Sequence, residues 1–147
     1  MIALDTNVVV RVVTADDPAQ TETALAVMRS EALWVCKTVL LETEWVLRYT
    51  YKLSREVIFS VFRKLLGLPA LQVEQRSVVL RALSLYEKGM DLADALHLVS
   101  SGEAELFATF DRELAIFASS EEGSDLPAVE WLGTRTPPTT AGRSRHA

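Results

Sequence analysis

The chain alternates short apolar runs with longer stretches that carry helix start and stop signals. The apolar runs lie at residues 1–4, 33–37, 71–73, 106–110 and 129–131. Runs of this length bounded by polar residues predict buried strands. Strands that alternate with one or two helices indicate a parallel sheet with helices on both faces. We therefore predict an α/β fold, a three-layer α/β/α sandwich with a mostly parallel sheet of about five strands.

Capping residues and helix breakers place the helices between these strands. The pair Asp17-Pro18 combines an N-cap with proline at the first helical position. The other predicted helices span about 38–51, 54–66, 75–88, 91–101 and 111–118. Segment 8–13 is rich in valine and has strand propensity, but Asp5, Thr6 and Asn7 before it are good N-caps. We predict a short helix there.

Acidic residues follow or begin several of the predicted elements. Asp5 comes directly after the first strand, at the carboxyl edge where open α/β sheets bind ligands. Glu42 follows the second strand, Asp94 lies near the start of a helix, and Asp111 follows the fourth strand. Each aspartate could serve only as a helix cap, but one sheet edge can gather all four carboxylates. We predict that they form one site.

Glu42 and Glu44 lie on different faces of their predicted helix, about 200° apart. Glu44 has Arg48 at i+4 and is expected to form a solvated ion pair. Glu42 shares its face with apolar residues and is expected to be buried: Val39, Trp45, Val46 and Tyr49. Because an ionised buried carboxylate is costly without a compensating cation, we predict that Glu42 is a metal ligand.

The remaining acids divide into ligands and supporting residues. Asp91 and Asp94 have the spacing of an N-cap and an N3 residue, so Asp91 is assigned to capping or to support of the site and Asp94 to the metal. Thr109 precedes Asp111 by two residues on the same strand face and could orient a ligand or simply be a strand threonine. Carboxylates brought together repel one another, and Mg²⁺ or Mn²⁺ is the usual remedy. With His97 as the one histidine outside the tail, zinc is not expected.

Composition limits the remaining possibilities. The net charge is −5, which argues against nucleic-acid binding by phosphate neutralisation alone. The single Cys36 is expected to be a buried small hydrophobe. Neither a signal peptide nor a membrane span is recognisable, so we expect a cytoplasmic protein without membrane contact. Seven basic residues are candidate phosphate contacts: Arg11, Arg48, Lys52, Arg55, Arg63, Lys64 and Arg112.

Four short segments carry the predicted site acids: Leu4-Asp5-Thr6-Asn7, Leu41-Glu42, Asp94-Ala95-Leu96-His97 and Thr109-Phe110-Asp111. Together they resemble the acidic motifs of PIN-domain ribonucleases, especially VapC-type toxins of toxin–antitoxin pairs. Phe110 departs from the pattern, since arginine is common there. The resemblance covers about residues 1–132. We expect a nuclease domain over 1–133 and a disordered basic tail over 134–147.

The resemblance implies both an activity and partners. Asp5, Glu42, Asp94 and Asp111 would hold Mg²⁺, with Mn²⁺ as a substitute, and Asn7 and Thr109 would support them. Metal-activated water would hydrolyse RNA phosphodiester bonds, leaving a 5′-phosphate and a 3′-hydroxyl. The substrate would be single-stranded or structured RNA such as tRNA. The implied partners are a VapB-like antitoxin and a second copy of the chain.

Two other readings of the same acids remain open. A receiver-like phosphoryl-transfer domain also gathers acids around Mg²⁺, but it normally has an acceptor aspartate after a middle strand, whereas Glu74 and Gln75 follow residues 71–73 here. The other alternative is a non-catalytic interaction module whose acids are only caps. Acid-dependent Mn²⁺ binding would separate a metal site from such a module.

Overall fold

The computed structural model describes residues 1–121 and 125–134, without the side chain of Thr134. The predicted loop at 121–124 and the predicted tail lie almost entirely outside the described residues. The chain divides into two compact units, Met1–Ser101 and a second unit that starts at Gly102. The predicted domain over 1–133 stays a prediction, and each unit is described by itself.

The first unit contains a three-stranded parallel sheet and six helices. The sheet order is β1-β2-β3. Two helices connect each strand to the next, as parallel neighbours require a long crossover. The elements are β1 (Ile2–Ala3), α1 (Thr6–Thr14), α2 (Pro18–Met28), β2 (Leu33–Val35), α3 (Lys37–Tyr49), α4 (Arg55–Leu66), β3 (Leu71–Val73), α5 (Arg76–Glu87) and α6 (Leu92–Ser100).

The valine-rich segment is helical, as predicted. Asp5 caps α1 by accepting a hydrogen bond from the backbone N–H of Thr6 at 2.8 Å. Val9 and Val10 are buried, and α1 contacts α2 and α3. Burial of an apolar helix face therefore outweighs the small propensity penalty of β-branched residues.

Most predicted helix starts are confirmed by capping side chains. Asp17 accepts from Gln20 N–H at 3.0 Å, and Ser54 accepts from Val57 N–H at 3.2 Å. Helix α3 is an exception, because it begins at Lys37 and its N-cap is Cys36, two residues before the N-cap predicted at Thr38. The reason is non-local, because the carboxylate of Glu74 accepts the Lys37 N–H at 2.9 Å.

The inner strands bury alternate residues. Leu33 pairs in register with Leu71, and Val35 with Val73, and all four side chains are buried. Between them Gln72 is exposed. This alternation fits the period of two along a strand. The core of the unit is completed by helix residues such as Leu47, Ile58, Phe62, Leu85 and Leu98.

The second unit contains one strand–helix–strand motif. Its elements are β4 (Leu106–Thr109), α7 (Arg112–Ser119), β5 (Ala128–Trp131) and a 3₁₀ turn (Leu132–Thr134). The two strands are parallel and in register from Leu106 opposite Ala128 to Thr109 opposite Trp131. The described residues thus hold five strands, the predicted number, in sheets of three and two. None of their helices combines the length and apolar character that a membrane crossing needs.

Candidate functional site

Asp5 lies where the sequence pattern places it, at the carboxyl end of β1. The strand ends at Ala3, Leu4 is buried, and the Asp5 side chain is exposed. Its Oδ1 caps α1, and the exposed carboxylate stands at the sheet edge where parallel α/β sheets place ligands. The prediction that the first strand delivers an acid to this edge is confirmed.

Asn7 follows Asp5 on the first turn of α1 and is exposed. It borders a groove of about 570 Å³ between α1 and α2, whose lining includes Arg11, Gln20 and Val27. The Arg11 guanidinium donates to Gln20 Oε1 at 2.6 Å and to Asp16 Oδ1 at 2.8 Å. Because Thr6 is buried, Asn7 is the first exposed polar side chain after Asp5 in the sequence.

The predicted burial of Glu42 is wrong. Glu42 is exposed, and so are two of the residues expected to bury it, Trp45 and Tyr49. The buried face of α3 consists instead of Leu40, Thr43, Glu44 and Leu47, at spacings of three and four residues. The burial argument for Glu42 as a metal ligand therefore fails. Its assignment now depends on the family motif and on an exposed carboxylate that solvent or metal can reach.

Glu44 is the acid that the fold buries, contrary to the predicted solvated ion pair. It is only 1% exposed. Its Oε1 accepts a hydrogen bond from the Tyr86 hydroxyl at 3.1 Å and lies 2.9 Å from Nε of Arg48. The Arg48 Nε–H makes no well-aligned hydrogen bond within the described chain, so the contact is an ion pair rather than a directed bond. Burial raises the pKa of Glu44, and Arg48 opposes that rise.

Arg48 continues this network to the start of α6. Its Nη2 lies 3.2 Å from Oδ2 of Asp91, while Asp91 Oδ1 accepts from the N–H groups of Ala93 at 2.9 Å and Asp94 at 3.4 Å. The predicted capping role of Asp91 is confirmed. The sequence predicted the pair of Glu44 and Arg48 but not its extension to Asp91, because Asp91 lies at the start of a different helix.

Asp94 lies in the first turn of α6 and is half-buried. The N–H of Asp94 is bound by Asp91, so its backbone is fixed at the capped end of the helix. The ion pair from Arg48 holds the capping residue in turn. The residues that position Asp94 therefore include a cation on α3.

Asp111 belongs to the second unit and is exposed at the end of β4. Its Oδ1 caps α7 by accepting from Leu114 N–H at 3.0 Å. The Thr109 hydroxyl accepts the Asp111 N–H at 3.0 Å, so Thr109 contacts this residue through the backbone, and its role in orienting a ligand stays a prediction. Asp111 is thus both a structural cap and an exposed carboxylate.

Cys36 is half-buried rather than buried, because it forms the N-cap of α3. Its Sγ lies 3.2 Å from the Thr38 hydroxyl, and this hydrogen bond lowers the pKa of the thiol. A half-buried side chain at a helix terminus has solvent on one side and backbone N–H groups on the other. The interpretation as a small core hydrophobe is therefore wrong.

Several of the candidate phosphate contacts are bound to protein atoms. Arg11 and Arg48 form the ion pairs described above, and Arg55 donates to the carbonyls of Tyr86 at 2.9 Å and Met90 at 2.6 Å. Lys52 is exposed, with a left-handed φ of 57° just after α3. Arg11, Arg48 and Arg55 therefore have structural roles that their positions in the sequence did not reveal.

Among residues 1–121 and 125–134, no three side chains of His, Cys, Asp or Glu lie close enough together to hold a metal ion. Asp5, Glu42 and Asp94 belong to the first unit and Asp111 to the second. Their carboxylates have the donor chemistry that Mg²⁺ and Mn²⁺ prefer. The gathering of all four acids around a cation stays a prediction.

Comparison with known proteins gives one family and no individual relative. The PIN domain family matches residues 2–119, which is more than half of the chain. No curated protein matches it. PIN domains are typically nucleases and generally use divalent metal ions. The match and the parallel strands joined by helices confirm the predicted α/β/α fold class. The chain belongs to the PIN domain family.

Proposed function

We propose that this protein is an endoribonuclease that depends on Mg²⁺ or Mn²⁺ and acts as the toxin of a VapBC-type toxin–antitoxin pair. The observation that carries the proposal is the family match over residues 2–119, which spans every acid of the four motifs. Asp5 and Asp111 are exposed acids at strand ends, as a nuclease of this family would need. The match favours this function over the receiver-like alternative.

In the proposed site, four acids share one role, which is to bind a divalent cation. Asp5, Glu42, Asp94 and Asp111 supply carboxylate oxygens, and a divalent cation bound there would activate water and neutralise charge on the phosphate. Thr109 orients Asp111 through the backbone N–H. Asn7 supplies an exposed amide close to Asp5. The chain itself therefore needs no nucleophilic side chain for hydrolysis.

The proposed partners follow from the same function. RNA, possibly tRNA, is the substrate, and a VapB-like antitoxin would block the site until it is degraded. We also propose a cytoplasmic location and a homodimer. Co-expression with the product of a small adjacent gene should yield a complex that does not cleave RNA.

The decisive experiment measures metal-dependent cleavage by the purified full chain. We expect single-stranded RNA to be cut with Mn²⁺ or Mg²⁺ and to stay intact with excess EDTA. The variant Asp5→Asn should lose activity at least a hundredfold, because the carboxylate charge is gone while the amide oxygen can still cap α1.

The matched control is Asp17→Asn. Asp17 is also an aspartate N-cap, on α2 instead of α1, and it belongs to none of the four motifs. It should retain full activity. Cleavage that continues in EDTA, or full activity of Asp5→Asn with metal present, would overturn the proposed function.

A further inference from the structure

A guanidinium joins the two helices that carry Glu42 and Asp94. Arg48 lies on α3, the helix of Glu42, and its Nη2 donates a hydrogen bond to Oδ2 of Asp91 at 3.2 Å. Asp91 is the N-cap of α6, the helix of Asp94. Both partners are charged, which makes this hydrogen bond stronger than one between neutral groups. Two acids of the proposed site are therefore connected through residues outside it.

Apolar packing holds α6 mainly against α5. The buried side chains of α6 include Leu92, Ala95 and Leu98, and the helix packs chiefly on α5 and much less on α3. The spacing between α3 and the first turn of α6 therefore depends strongly on the polar contact between Arg48 and Asp91.

The Arg48 side chain is itself held in place. Glu44, one turn earlier on α3, is buried, and its Oε1 lies 2.9 Å from the Arg48 Nε. The guanidinium also lies 4.7 Å from the centroid of the Tyr49 ring. A planar cation between two carboxylates and over a ring has little freedom to move. Because the two carboxylates neutralise it, Arg48 is better suited to hold a helix than to bind phosphate.

Asp91 transmits this position to the first turn of α6. Its Oδ2 accepts from Arg48, while its Oδ1 accepts the N–H groups of Ala93 at 2.9 Å and Asp94 at 3.4 Å. The backbone of Asp94 is thus one hydrogen bond from Asp91 and two from Arg48. A shift of the cap moves the first turn of the helix, and the carboxylate of Asp94 moves with it.

We propose that Arg48 is a positioning residue of the proposed metal site. Through Asp91 it holds the helix of Asp94 at the spacing from Glu42 that a shared divalent cation requires. The proposal rests on the proposed function, because it takes both acids as metal ligands. Residues that orient metal ligands change metal affinity by roughly ten- to a hundredfold when they are replaced. Arg48 in this role contacts neither metal nor RNA.

The first test is Mn²⁺ binding to the full chain without RNA, measured by calorimetry. Asp91→Asn keeps an oxygen for the cap but removes the charged acceptor of Arg48, so it should weaken Mn²⁺ binding by about tenfold. The matched control is Asp17→Asn, because Asp17 caps α2 and forms no ion pair in the described part of the chain. Its Mn²⁺ affinity should equal that of wild type. Circular dichroism checks that each variant is folded.

The second test changes the cation. Arg48→Lys keeps the charge that the buried Glu44 needs, but an ammonium lacks the planar fork that reaches two carboxylates at once. It should therefore weaken Mn²⁺ binding about as much as Asp91→Asn does. Because both changes remove the same hydrogen bond, the double variant should bind Mn²⁺ no more weakly than either single variant.

The same titrations separate a positioning role from a purely structural one. Wild-type Mn²⁺ affinity in both folded single variants would limit the network to stability and refute the proposal. A loss confined to Asp91→Asn would make Asp91 itself a ligand, and a loss confined to Arg48→Lys would exclude the route through Asp91. Either result contradicts the proposal, as do losses that add in the double variant.

RNA binding in EDTA tests whether Arg48 contacts phosphate instead. Asp91→Asn would free the guanidinium, so tighter RNA binding with unchanged Mn²⁺ affinity would assign Arg48 to the substrate and overturn the proposal. We expect unchanged RNA binding. A wild-type chain that binds no Mn²⁺ would refute the proposed function and this inference together, whereas Mn²⁺ binding that depends on Asp5 but not on Arg48 or Asp91 would refute the inference alone.

Discussion

The Tyr86 hydroxyl donates a hydrogen bond to Oε1 of Glu44 at 3.1 Å, and this bond joins α5 to α3 inside the first unit. Both residues are buried, at 1% exposure each. A carboxylate taken from water needs donors and a cation, and here Tyr86 and Arg48 supply them. The network couples three helices, since Arg48 also reaches Asp91 at the start of α6.

Removing the Tyr86 hydroxyl should therefore destabilise the fold. Tyr86→Phe leaves a buried carboxylate oxygen without its donor, and we expect the free energy of unfolding to fall by about 1–3 kcal/mol. Tyr51→Phe is the control, because Tyr51 donates to the exposed Asp16 at 2.6 Å and should cost under about 1 kcal/mol. Urea unfolding measures both, and equal losses would contradict the role of burial.

Glu44 should also make stability depend on pH. Burial raises the pKa of Glu44 above its ordinary value of 4.5, so the folded state holds this proton more tightly than the unfolded state. The stabilising contribution is complete below pH 4.5 and is lost as pH rises through the raised pKa. Relative to wild type, Glu44→Gln should therefore gain stability across that window.

The control for this pH series is Glu42→Gln, which removes a carboxylate from the exposed face of the same helix. Unfolding curves in urea at intervals from pH 4 to pH 8 give the differences from wild type. A Glu44→Gln difference that stays constant or moves in the opposite direction would refute the assigned shift.

Substitution of Glu42 should affect RNA cleavage, whereas substitution of Glu44 should affect stability. Because Glu42 is exposed, Glu42→Gln should alter the free energy of unfolding by less than about 0.5 kcal/mol, yet abolish RNA cleavage if it belongs to the site. Glu44→Gln should alter stability while retaining cleavage in the folded fraction. The comparison requires both assays on both variants, and full cleavage by Glu42→Gln would remove that residue from the site.

Variants of Asp111 should also distinguish an effect on cleavage from an effect on stability, because Asp111 caps α7 by accepting a hydrogen bond from the Leu114 N–H. Asp111→Asn keeps an oxygen that can accept this bond, so stability should hold while cleavage is lost. Asp111→Ala should lose cleavage and also about 1 kcal/mol of stability. Thermal unfolding and cleavage rates of the two variants check this, and an active Asp111→Asn would show that the residue is only a cap.

The elements of the fold were largely predictable, whereas the phase of α3 was not. Local signals determine where elements start: Asp17-Pro18, Ser54 and Asp91 each cap the predicted helix. Burial along α3 depends on distant residues. The apolar character of Trp45 and Tyr49 favoured the wrong face, and the donor that allows Glu44 to be buried lies 42 residues away at Tyr86.

The site shows the same division between local and distant information. The exposed positions of Asp5 and Asp111 follow from strand ends and caps that adjacent residues define. The chain from Glu44 through Arg48 to Asp91 joins two side chains of α3 to the N-cap of α6. Spacing in the sequence suggested a local i,i+4 pair there, but it contained no information about the third member.

The Arg55 side chain has a consequence for the connection between α5 and α6. It donates to the carbonyls of Tyr86 and Met90, and its guanidinium lies 4.2 Å from the Tyr86 ring centroid. These bonds fix both sides of Gly89, whose φ of 114° few other residues adopt. Trypsin cuts a segment only in an extended conformation. Lys88 is exposed but should therefore resist digestion of the native protein until α4, which carries Arg55, unfolds.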